Sequence, residues 1–272
     1  MDYLTQQKLD KLYEFFNKSE GIAIAFSGGV DSSFLLAAAA QTAANKVIAI
    51  TARSAAFPAR EYNIAQEIAQ QYGIKHITVD FDEMSLKEFR ENPKDRCYHC
   101  KKAIFTMIKN TAQEHRIHMV CDGSNVDDLS DYRPGLRALE ELNISSPLRE
   151  VGLTKNEIRQ LARELGVKIW NMPAYACLAS RIPYGEVITR EKLSMIEKAE
   201  QYLISLGFEQ IRVRCHENMA RIEVRPNERS RFFDESFMDE VASKLKEFGF
   251  AYVALDLTGY RTGSLNEIIQ KG

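Results

Sequence analysis

The fold of this 272-residue chain is decided by the stretch IAIAFSGGVDSSFLLAAAA, residues 22–40. Its first five residues are apolar and typical of a buried strand, and the two glycines that follow predict a tight turn. The rest of the stretch is rich in leucine and alanine, which favour a helix. A helix that begins directly after such a turn presents unpaired backbone N–H groups and the positive end of its dipole. The stretch therefore predicts an anion-binding loop, with phosphate as the natural ligand.

The loop itself reads SGGVDS, and each of its residue types suits a nucleotide phosphate. Glycines let the backbone approach phosphate oxygens, serines can donate hydroxyl hydrogen bonds, and an aspartate can hold Mg²⁺ against the phosphates. No lysine follows the glycines and the GxGxxG spacing is absent, so neither a Walker-type nor a dinucleotide-binding loop is indicated. A plain strand-to-helix turn capped by serine is the alternative. The predicted nucleotide-binding residues are Ser27, Gly28, Gly29, Asp31 and Ser32.

Outward from the loop, strand and helix patterns alternate along the chain. Apolar runs typical of strands lie at 47–51, 75–81 and 117–123, and helical patterns separate them. Short connections between alternating strands and helices predict an α/β fold built on a doubly wound parallel sheet.

The alternation of strand and helix patterns ends at residues 171–185, NMPAYACLASRIPYG, where prolines and small residues interrupt the periodicity. Beyond this segment, the patterns predict a helix, two alternating strands, a helix over about 230–248 and a last strand. We therefore expect two domains, residues 1–170 and a smaller α+β domain of residues 171–272.

Composition is that of an ordinary globular protein, with 45% hydrophobic and 27% charged residues. Positive and negative charges balance in each predicted domain, 22 against 23 and 14 against 15, so no basic surface for nucleic acid is expected. The longest apolar stretch, Phe34–Ala40, is far shorter than the roughly 18 residues of a membrane-spanning helix. The N-terminal pattern is amphipathic rather than that of a targeting peptide. We expect a protein of the reducing cytoplasm with no membrane partner.

Five cysteines cannot all pair with one another within one chain. Cys97 and Cys100 form a CxxC motif at the start of a helical pattern, a spacing that suits a metal, a cluster edge or a redox disulfide. Cys177 lies in the irregular segment between the predicted domains, where a functional thiol is expected rather than a packed side chain. Cys121 and Cys215 follow apolar patterns and are expected in the core.

Three thiolates would leave one iron of a four-iron cluster open for an exogenous ligand such as sulfide. His99 lies between the two cysteines of the motif and is either a fourth ligand or a solvated side chain. The residues alone leave both possibilities open.

Two alternating strands near the C-terminus, IRVRC and ARIEVR, direct several charged side chains to one face. The period of two puts Arg212 and Arg214 on one face of the first strand, and Arg221, Glu223 and Arg225 on one face of the second. If the intervening HENM forms a hairpin, four guanidinium groups surround one carboxylate, which suits a single phosphate ester. A solvated outer face of an amphipathic sheet is the alternative.

The SGGVDS loop matches the N-type ATP pyrophosphatases, which cleave ATP between the α and β phosphates and adenylate an oxygen. Together with CLASRIPYG (177–185), DYRPG (131–135) and RVRCHENMARIE (212–223), it makes nearly the whole chain resemble the LarE family. That family comprises ATP-dependent sulfur transferases that make the nickel-pincer nucleotide cofactor of lactate racemase. The resemblance implies ATP at the carboxyl ends of the strands, and conversion of a pyridinium biscarboxylate mononucleotide into a thiocarboxylate.

The resemblance also implies roles for individual residues. Gly123 and Asp128 would be further nucleotide or Mg²⁺ contacts, and Arg212 and Arg214 would hold the substrate phosphate. A homo-oligomer is expected, with a hexamer as one candidate, and the sulfide source stays open. The residues implied around the sulfur-transfer site are Cys177, Ser180, Arg181, Glu200 and Glu223.

The source of the sulfur is where this chain departs from one form of the family. In that form, the cysteine at the position of Cys177 surrenders its own sulfur and becomes dehydroalanine after one turnover. The additional Cys97 and Cys100 resemble members thought to carry a four-iron, four-sulfur (4Fe-4S) cluster on three cysteines. We therefore expect Cys97, Cys100 and Cys177 to bind a cluster that carries exogenous sulfide, with sacrificial donation from Cys177 as the rival.

Three other functions are alternatives. A tRNA-thiolating enzyme also combines a pyrophosphate loop with cysteines, but the neutral charge disfavours it. An amide-forming ligase is disfavoured because nothing in the chain resembles a glutaminase, although free ammonia could serve. A nucleotide-sensing module with structural cysteines would not need the complete loop with its aspartate.

Overall fold

The computed structural model describes four stretches of the chain: residues 2–43, 46–130, 134–173 and 176–261. The chain divides into two compact units: residues 1–82 with 95–175, and residues 83–94 with 176–272. Each unit contains its own sheet. Residues 83–94 belong to the second unit, although in the sequence they lie between two segments of the first unit. Among the described residues, no helix combines the length and the apolar character needed to cross a membrane.

Within the described residues the helices are, in chain order, α1 (Tyr3–Lys18), α2 (Val30–Ala43), α3 (Ala59–Gln71), α4 (Lys87–Glu91), α5 (Arg96–Glu114), α6 (Gly135–Glu141), α7 (Pro147–Glu150), α8 (Lys155–Glu164), α9 (Arg190–Ser205) and α10 (Glu235–Glu247). The strands are β1 (Ile22–Ala25), β2 (Val47–Arg53), β3 (Lys75–Asp80), β4 (Met119–Cys121), β5 (Ile211–His216), β6 (Met219–Val224) and β7 (Tyr252–Leu255).

The first unit is built on a parallel sheet with the strand order β3-β2-β1-β4, which confirms the predicted α/β fold. From β1 the chain adds β2 and β3 on one side, and β4 then pairs with β1 on the other side. The strand order therefore reverses between β1 and β4. In sheets of this kind, ligands bind in the crevice outside the carboxyl ends of the two strands at such a reversal.

Both faces of this sheet are covered by helices, which explains why its strands read as continuous apolar runs. Ile22 and Ile24 pack in a core with residues of α1, α2, α3 and α8. Ala23, Ile48 and Ile50 point to the opposite face and pack in a second core with residues of α5 and α6. Successive residues of one strand thus serve two cores, as the period of two requires.

The second unit contains a three-stranded sheet in the order β5-β6-β7, in which β5 and β6 form the expected antiparallel hairpin. The predicted helix over 230–248 is shorter than expected. The Asp234 side chain accepts a hydrogen bond from the Phe237 N–H (2.8 Å) and caps α10, so that helix begins only at Glu235. The residues before it, Pro226–Phe233, form 3-10 turns.

Candidate functional site

The glycine loop leaves β1 in a conformation that only glycine fits well. Gly28 has φ of +74°, and a Cβ atom built there would lie 2.6 Å from the carbonyl oxygen of Glu61 and 3.1 Å from the Cβ of Ala65. A side chain at this position would therefore strain the backbone and collide with the neighbouring helix α3. The loop closely approaches α3 because it carries no side chain at this position.

Two serine hydroxyls stand together at the start of α2. The Oγ atoms of Ser27 and Ser32 are 3.1 Å apart, and the Ser27 Oγ also accepts a hydrogen bond from the Gly29 N–H (3.3 Å). The Ser32 hydroxyl donates to the carbonyl oxygen of Gly29 (3.2 Å). The structure thus brings the predicted phosphate-binding groups together at one helix N-terminus.

The end of β4 lies directly against the same helix N-terminus. A Cβ atom built on Gly123 would lie 2.9 Å from the backbone nitrogen of Ser32, so the two segments touch backbone to backbone. The preceding Asp122 is buried and accepts hydrogen bonds from the hydroxyls of Ser124 and Ser146. This network fixes the path of the chain at the strand reversal between β1 and β4.

Asp31 lies in the first turn of α2, and the surroundings of its two carboxylate oxygens differ. Its Oδ2 accepts a hydrogen bond from the Asn125 Nδ2 (3.2 Å) and lies 3.5 Å from the Lys155 Nζ. Its Oδ1 is buried and has no hydrogen-bond partner among the described residues. Burial raises the pKa of Asp31, and nearby Asp128 raises it further, while Lys155 opposes the rise. An unsatisfied carboxylate oxygen of this kind fits a cation such as Mg²⁺.

Asp128 is joined to Asp31 through one residue that the sequence patterns do not reveal. The Asn125 N–H donates to Asp128 Oδ2 (3.0 Å), while the Asn125 side chain donates to Asp31. Neither Asn125 nor Lys155 stands at a recognisable spacing from the loop in the sequence. Only the fold shows that both residues are neighbours of Asp31. Residues 131–133 of the DYRPG motif lie outside the described residues.

Cys97 and Cys100 are the second and fifth residues of α5, in the first unit. Cys97 is exposed and Cys100 is half-buried. An Arg96 Nη2 lies 3.8 Å from the Cys97 Sγ, within hydrogen-bond range for sulfur. The His99 ring interacts with Asp95 (3.2 Å), four residues earlier.

In the second unit, Cys177 begins a tight turn that a buried arginine holds. The Arg181 side chain is fully buried, and its Nη1 donates to the carbonyl oxygens of Ala176 (2.6 Å) and Cys177 (3.1 Å) and to the Ser180 hydroxyl (3.1 Å). The Ser180 N–H donates to the Cys177 carbonyl oxygen (2.9 Å). Arg181 thus fixes the backbone on which the Cys177 thiol is carried.

The charge of Arg181 is balanced by Glu200, which α9 turns inward. Two parallel hydrogen bonds of 2.8 Å join the guanidinium to the carboxylate, and both side chains are buried. Burial alone would raise the pKa of Glu200, but Arg181, Arg212 and the Val213 N–H stabilise the carboxylate and lower it. This is a fully compensated buried pair.

A second buried pair lies on the hairpin. Arg214 donates two hydrogen bonds to Glu223 (3.0 and 2.9 Å) and a third to the Ser180 carbonyl oxygen (2.9 Å). Arg221 also donates to Glu223 (3.0 Å). The alternative of a solvated outer face is wrong for Arg212 and Arg214, which are 4% and 7% exposed. Glu223 compensates the charge of Arg214, and the carboxylate of Glu200 acts on the charge of Arg212.

The predicted patch of four guanidinium groups is only partly present. Arg212 is stacked near the Tyr260 ring at 5.2 Å, and burial together with neighbouring Arg181 lowers its pKa to about 10. Arg225 instead pairs with Glu209 (2.6 Å), because β6 ends at Val224 and the strand alternation no longer applies beyond it.

Burial divides the five cysteines as the sequence predicted. Cys121 and Cys215 are buried, and desolvation raises the pKa of both thiols, that of Cys215 to about 11. Cys97, Cys100 and Cys177 are the accessible thiols. Within the described part of the chain, no three His, Cys, Asp or Glu side chains stand together as a metal-binding group.

Comparisons with known proteins give one match over residues 18–113 and others over at least 90% of the chain. Residues 18–113 match the asparagine synthase family. The chain is 41% identical to the uncharacterised protein slr1717 of Synechocystis sp., over 98% of this chain and 100% of that protein. It is 37% identical to the pyridinium-3,5-bisthiocarboxylic acid mononucleotide synthase of Lactiplantibacillus plantarum, over 92% of this chain and 90% of that enzyme. The uncharacterised protein MJ0830 of Methanocaldococcus jannaschii is 33% identical, over 90% of this chain and 92% of that protein.

Proposed function

The chain belongs to the family of the pyridinium-3,5-bisthiocarboxylic acid mononucleotide synthase, and from this premise we propose that it transfers sulfur to a pyridinium-3,5-biscarboxylic acid mononucleotide in an ATP-dependent reaction. One observation carries the proposal: the similarity extends over nearly the whole chain and so includes residues of both units. A glycine loop alone would fit any enzyme that forms an adenylate. A second feature supports sulfur transfer: the buried Arg181 holds the backbone of the turn that carries the Cys177 thiol.

The first half-reaction activates a substrate carboxylate. A carboxylate oxygen attacks the α-phosphorus of ATP, the bond to the bridging oxygen of the β-phosphate breaks, and pyrophosphate leaves with that oxygen. Ser27 and Ser32, with the backbone of Gly28 and Gly29, would bind the pyrophosphate and stabilise its charge as it develops. The product is an acyl-adenylate, whose carbonyl carbon is open to nucleophiles.

Mg²⁺ fits this loop because Asp31 presents a buried oxygen that lacks a hydrogen bond within the described part of the chain. Asp31 would hold the ion, and Asp128, linked through Asn125, would add negative charge beside it. When bound, the ion supplies charge neutralisation for the phosphates. Gly123 leaves room next to the helix N-terminus, where a side chain would collide with the backbone of Ser32.

The second half-reaction replaces oxygen by sulfur. A sulfur nucleophile attacks the acyl carbon, a C–S bond forms, and AMP leaves with the oxygen through which it was bound. Arg181 fixes the turn that carries Cys177, and Glu200 keeps Arg181 in place. Arg212 and Arg214 would bind the phosphate of the substrate, with Ser180 and Glu223 orienting Arg214.

For the sulfur source, we propose that Cys97, Cys100 and Cys177 together hold a 4Fe-4S cluster. The fit rests on the donor set: these three thiols are accessible, two lie within one helical turn, and thiolates are the usual ligands of such clusters. When bound, the cluster supplies an open iron site for exogenous sulfide. Sacrificial donation from Cys177 is the outcome that would replace this proposal.

The reaction is tested by incubating the protein with ATP, Mg²⁺, sulfide and the biscarboxylate mononucleotide. Mass spectrometry should detect a product in which sulfur replaces one carboxylate oxygen, with AMP and pyrophosphate released in equal amounts. Ammonia in place of sulfide should give no amide. Product formation on tRNA instead of the mononucleotide would contradict the proposal.

The sulfur source is tested with protein prepared without oxygen, by counting iron and acid-labile sulfide. Alkylation of the metal-free protein should modify Cys97, Cys100 and Cys177 and spare Cys121 and Cys215, and iron loading should protect all three. Cys97→Ala should abolish cluster binding and multiple turnover, whereas Cys121→Ala serves as the matched control. Loss of H₂S mass from Cys177 after one turnover would instead establish the sacrificial route.

The assembly state is a further part of the proposal. We propose a homo-oligomer, as the family resemblance implies. Light scattering coupled to size-exclusion chromatography should give a mass of at least twice that of the 31.0 kDa chain. A monomer at all concentrations would contradict it.

A further inference from the structure

A short segment of the second unit, residues 83–94, precedes the CxxC motif in the sequence. It contains α4, whose Phe89 side chain is fully buried. Asn92 follows α4 and is fully buried as well. Cys97 lies five residues after Asn92, so chain length alone keeps its Cα within about 18 Å of the Asn92 Cα.

Asn92 is held both by its backbone and by its side chain. Its backbone is left-handed, with φ of +55° and ψ of +49°, a conformation that asparagine tolerates better than most residues. Its Nδ2 donates hydrogen bonds to the carbonyl oxygens of Pro183 (2.7 Å) and Glu186 (3.1 Å). Its own carbonyl oxygen accepts a hydrogen bond from the Gly185 N–H (2.9 Å). Glycine would allow the same backbone but has no side-chain donor, and aspartate would place oxygen against oxygen.

The residues that Asn92 contacts lie within nine positions after Cys177 in the sequence. A further backbone hydrogen bond, from the Ile188 N–H to the Arg90 carbonyl oxygen (2.9 Å), joins the same two segments. We call this set of hydrogen bonds the Asn92 junction. From one side of the junction the chain continues to the CxxC motif, and on the other side it comes from Cys177.

The cluster proposed above needs the thiols of Cys97, Cys100 and Cys177 in one place, although Cys177 lies far from the other two in the sequence. Short paths from one fixed point raise the effective concentration of such groups relative to one another. We propose that Asn92 is a positioning residue for these three thiols. The junction holds the segment that leads to the CxxC motif against the segment that follows Cys177, so that all three thiols can bind one cluster. The inference rests on the proposed cluster and adds the residue that brings its ligands together.

The test measures the proximity of the thiols in the metal-free full chain with dibromobimane, a short reagent that becomes fluorescent when it bridges two thiols. Peptide mass mapping identifies the bridged pair, and only bridges within one chain are counted. In the native protein, we expect bridges between Cys177 and a thiol of the CxxC motif. Asn92→Gly keeps the left-handed backbone but loses the side-chain donor, and should reduce these bridges by about tenfold. Bridges between Cys97 and Cys100 should be unchanged, because both residues lie on α5.

Two further variants accompany this measurement. Asn92→Asp keeps the shape of the side chain and replaces the donor by an acceptor, so it should show the same loss of bridges. Asn143→Gly is the matched control, because Asn143 also has a left-handed backbone, with φ of +53°, but is exposed and lies in the first unit. It should form the same bridges as the native protein. Circular dichroism and melting temperatures define the conditions under which every variant is folded.

The possible results separate the role of Asn92 from the cluster itself. Equal bridging of Cys177 in the native protein, Asn92→Gly and Asn92→Asp, with only the melting temperature lowered, would overturn the proposal, because Asn92 would then merely stabilise the second unit. A native protein that bridges only Cys97 with Cys100 would contradict the three-thiol cluster, and the role of Asn92 with it.

Discussion

The glycine loop of the first unit and the Cys177 turn of the second hold functional groups by opposite means. The loop uses backbone N–H groups and two short hydroxyls from within residues 27–32. The turn depends on Arg181 and its distant partner Glu200, a pair almost completely removed from solvent. A site built from backbone tolerates loss of a hydroxyl, whereas a buried ion pair tolerates no loss of one partner, because the other charge is then left uncompensated.

The largest effect should come from breaking the buried pair of the turn. Arg181→Met leaves the Glu200 carboxylate buried without its bidentate partner and frees the carbonyl oxygens of Ala176 and Cys177. We expect the free energy of unfolding to fall by about 3–5 kcal/mol. Urea unfolding at neutral pH measures the loss, and sulfur transfer should be lost with it.

Two further variants show whether the uncompensated charge is the cause. Arg181→Met combined with Glu200→Gln removes both charges and keeps an acceptor for the Val213 N–H, so it should recover much of the stability. Arg53→Met removes an arginine from the exposed pair with Asp80 and should leave stability unchanged. A double variant as unstable as Arg181→Met alone would show that packing, rather than charge, determines the loss.

The same contrast explains how much of each site the sequence could predict. The glycine loop is predictable because its signal is local: an apolar run, two glycines and a helix-forming segment follow one another without interruption. The parallel sheet and the accessible-versus-buried division of the cysteines are predictable for the same reason, from period and burial pattern. Such signals need no knowledge of which distant segments meet.

Pairings between distant segments cannot be predicted in this way. The local pattern of the helix does not distinguish Glu200 from its solvent-exposed neighbours, and only the packing of α9 turns it towards Arg181. Asn125 and Lys155 meet Asp31 because the sheet order reverses between β1 and β4, which no local pattern records. Arg225 leaves its predicted face because the end of β6 depends on the following turn.

A smaller loss of stability is expected in the glycine loop, because a substitution there changes backbone geometry and leaves the charges unaltered. Gly28→Ala places a Cβ 2.6 Å from the Glu61 carbonyl oxygen in a left-handed conformation, so we expect a loss of about 2–3 kcal/mol in unfolding free energy. Gly73→Ala is the matched control, because Gly73 also has positive φ but no atom within 4 Å of the built Cβ. It should lose only about 1 kcal/mol, from backbone strain alone. Equal losses would show that the close approach of the loop to α3 is relaxed easily.

The smallest effect, and the only one of opposite sign, is expected at Asp31. Burial raises its pKa in the folded protein, so the folded state favours the protonated form relative to the unfolded chain. The contribution of this group to stability is therefore complete below its unfolded pKa, near 4, and is lost as the pH rises through the higher folded pKa. Asp31→Asn removes that loss and should raise the melting temperature at neutral pH while leaving it nearly unchanged at pH 4. Thermal unfolding of both proteins across this pH range measures the difference, and magnesium pyrophosphate should stabilise the native protein more than the variant. A variant less stable than the native protein at neutral pH would mean that Lys155 and Asn125 already compensate the carboxylate in full, and that the loop, like the turn, depends on a balanced charge.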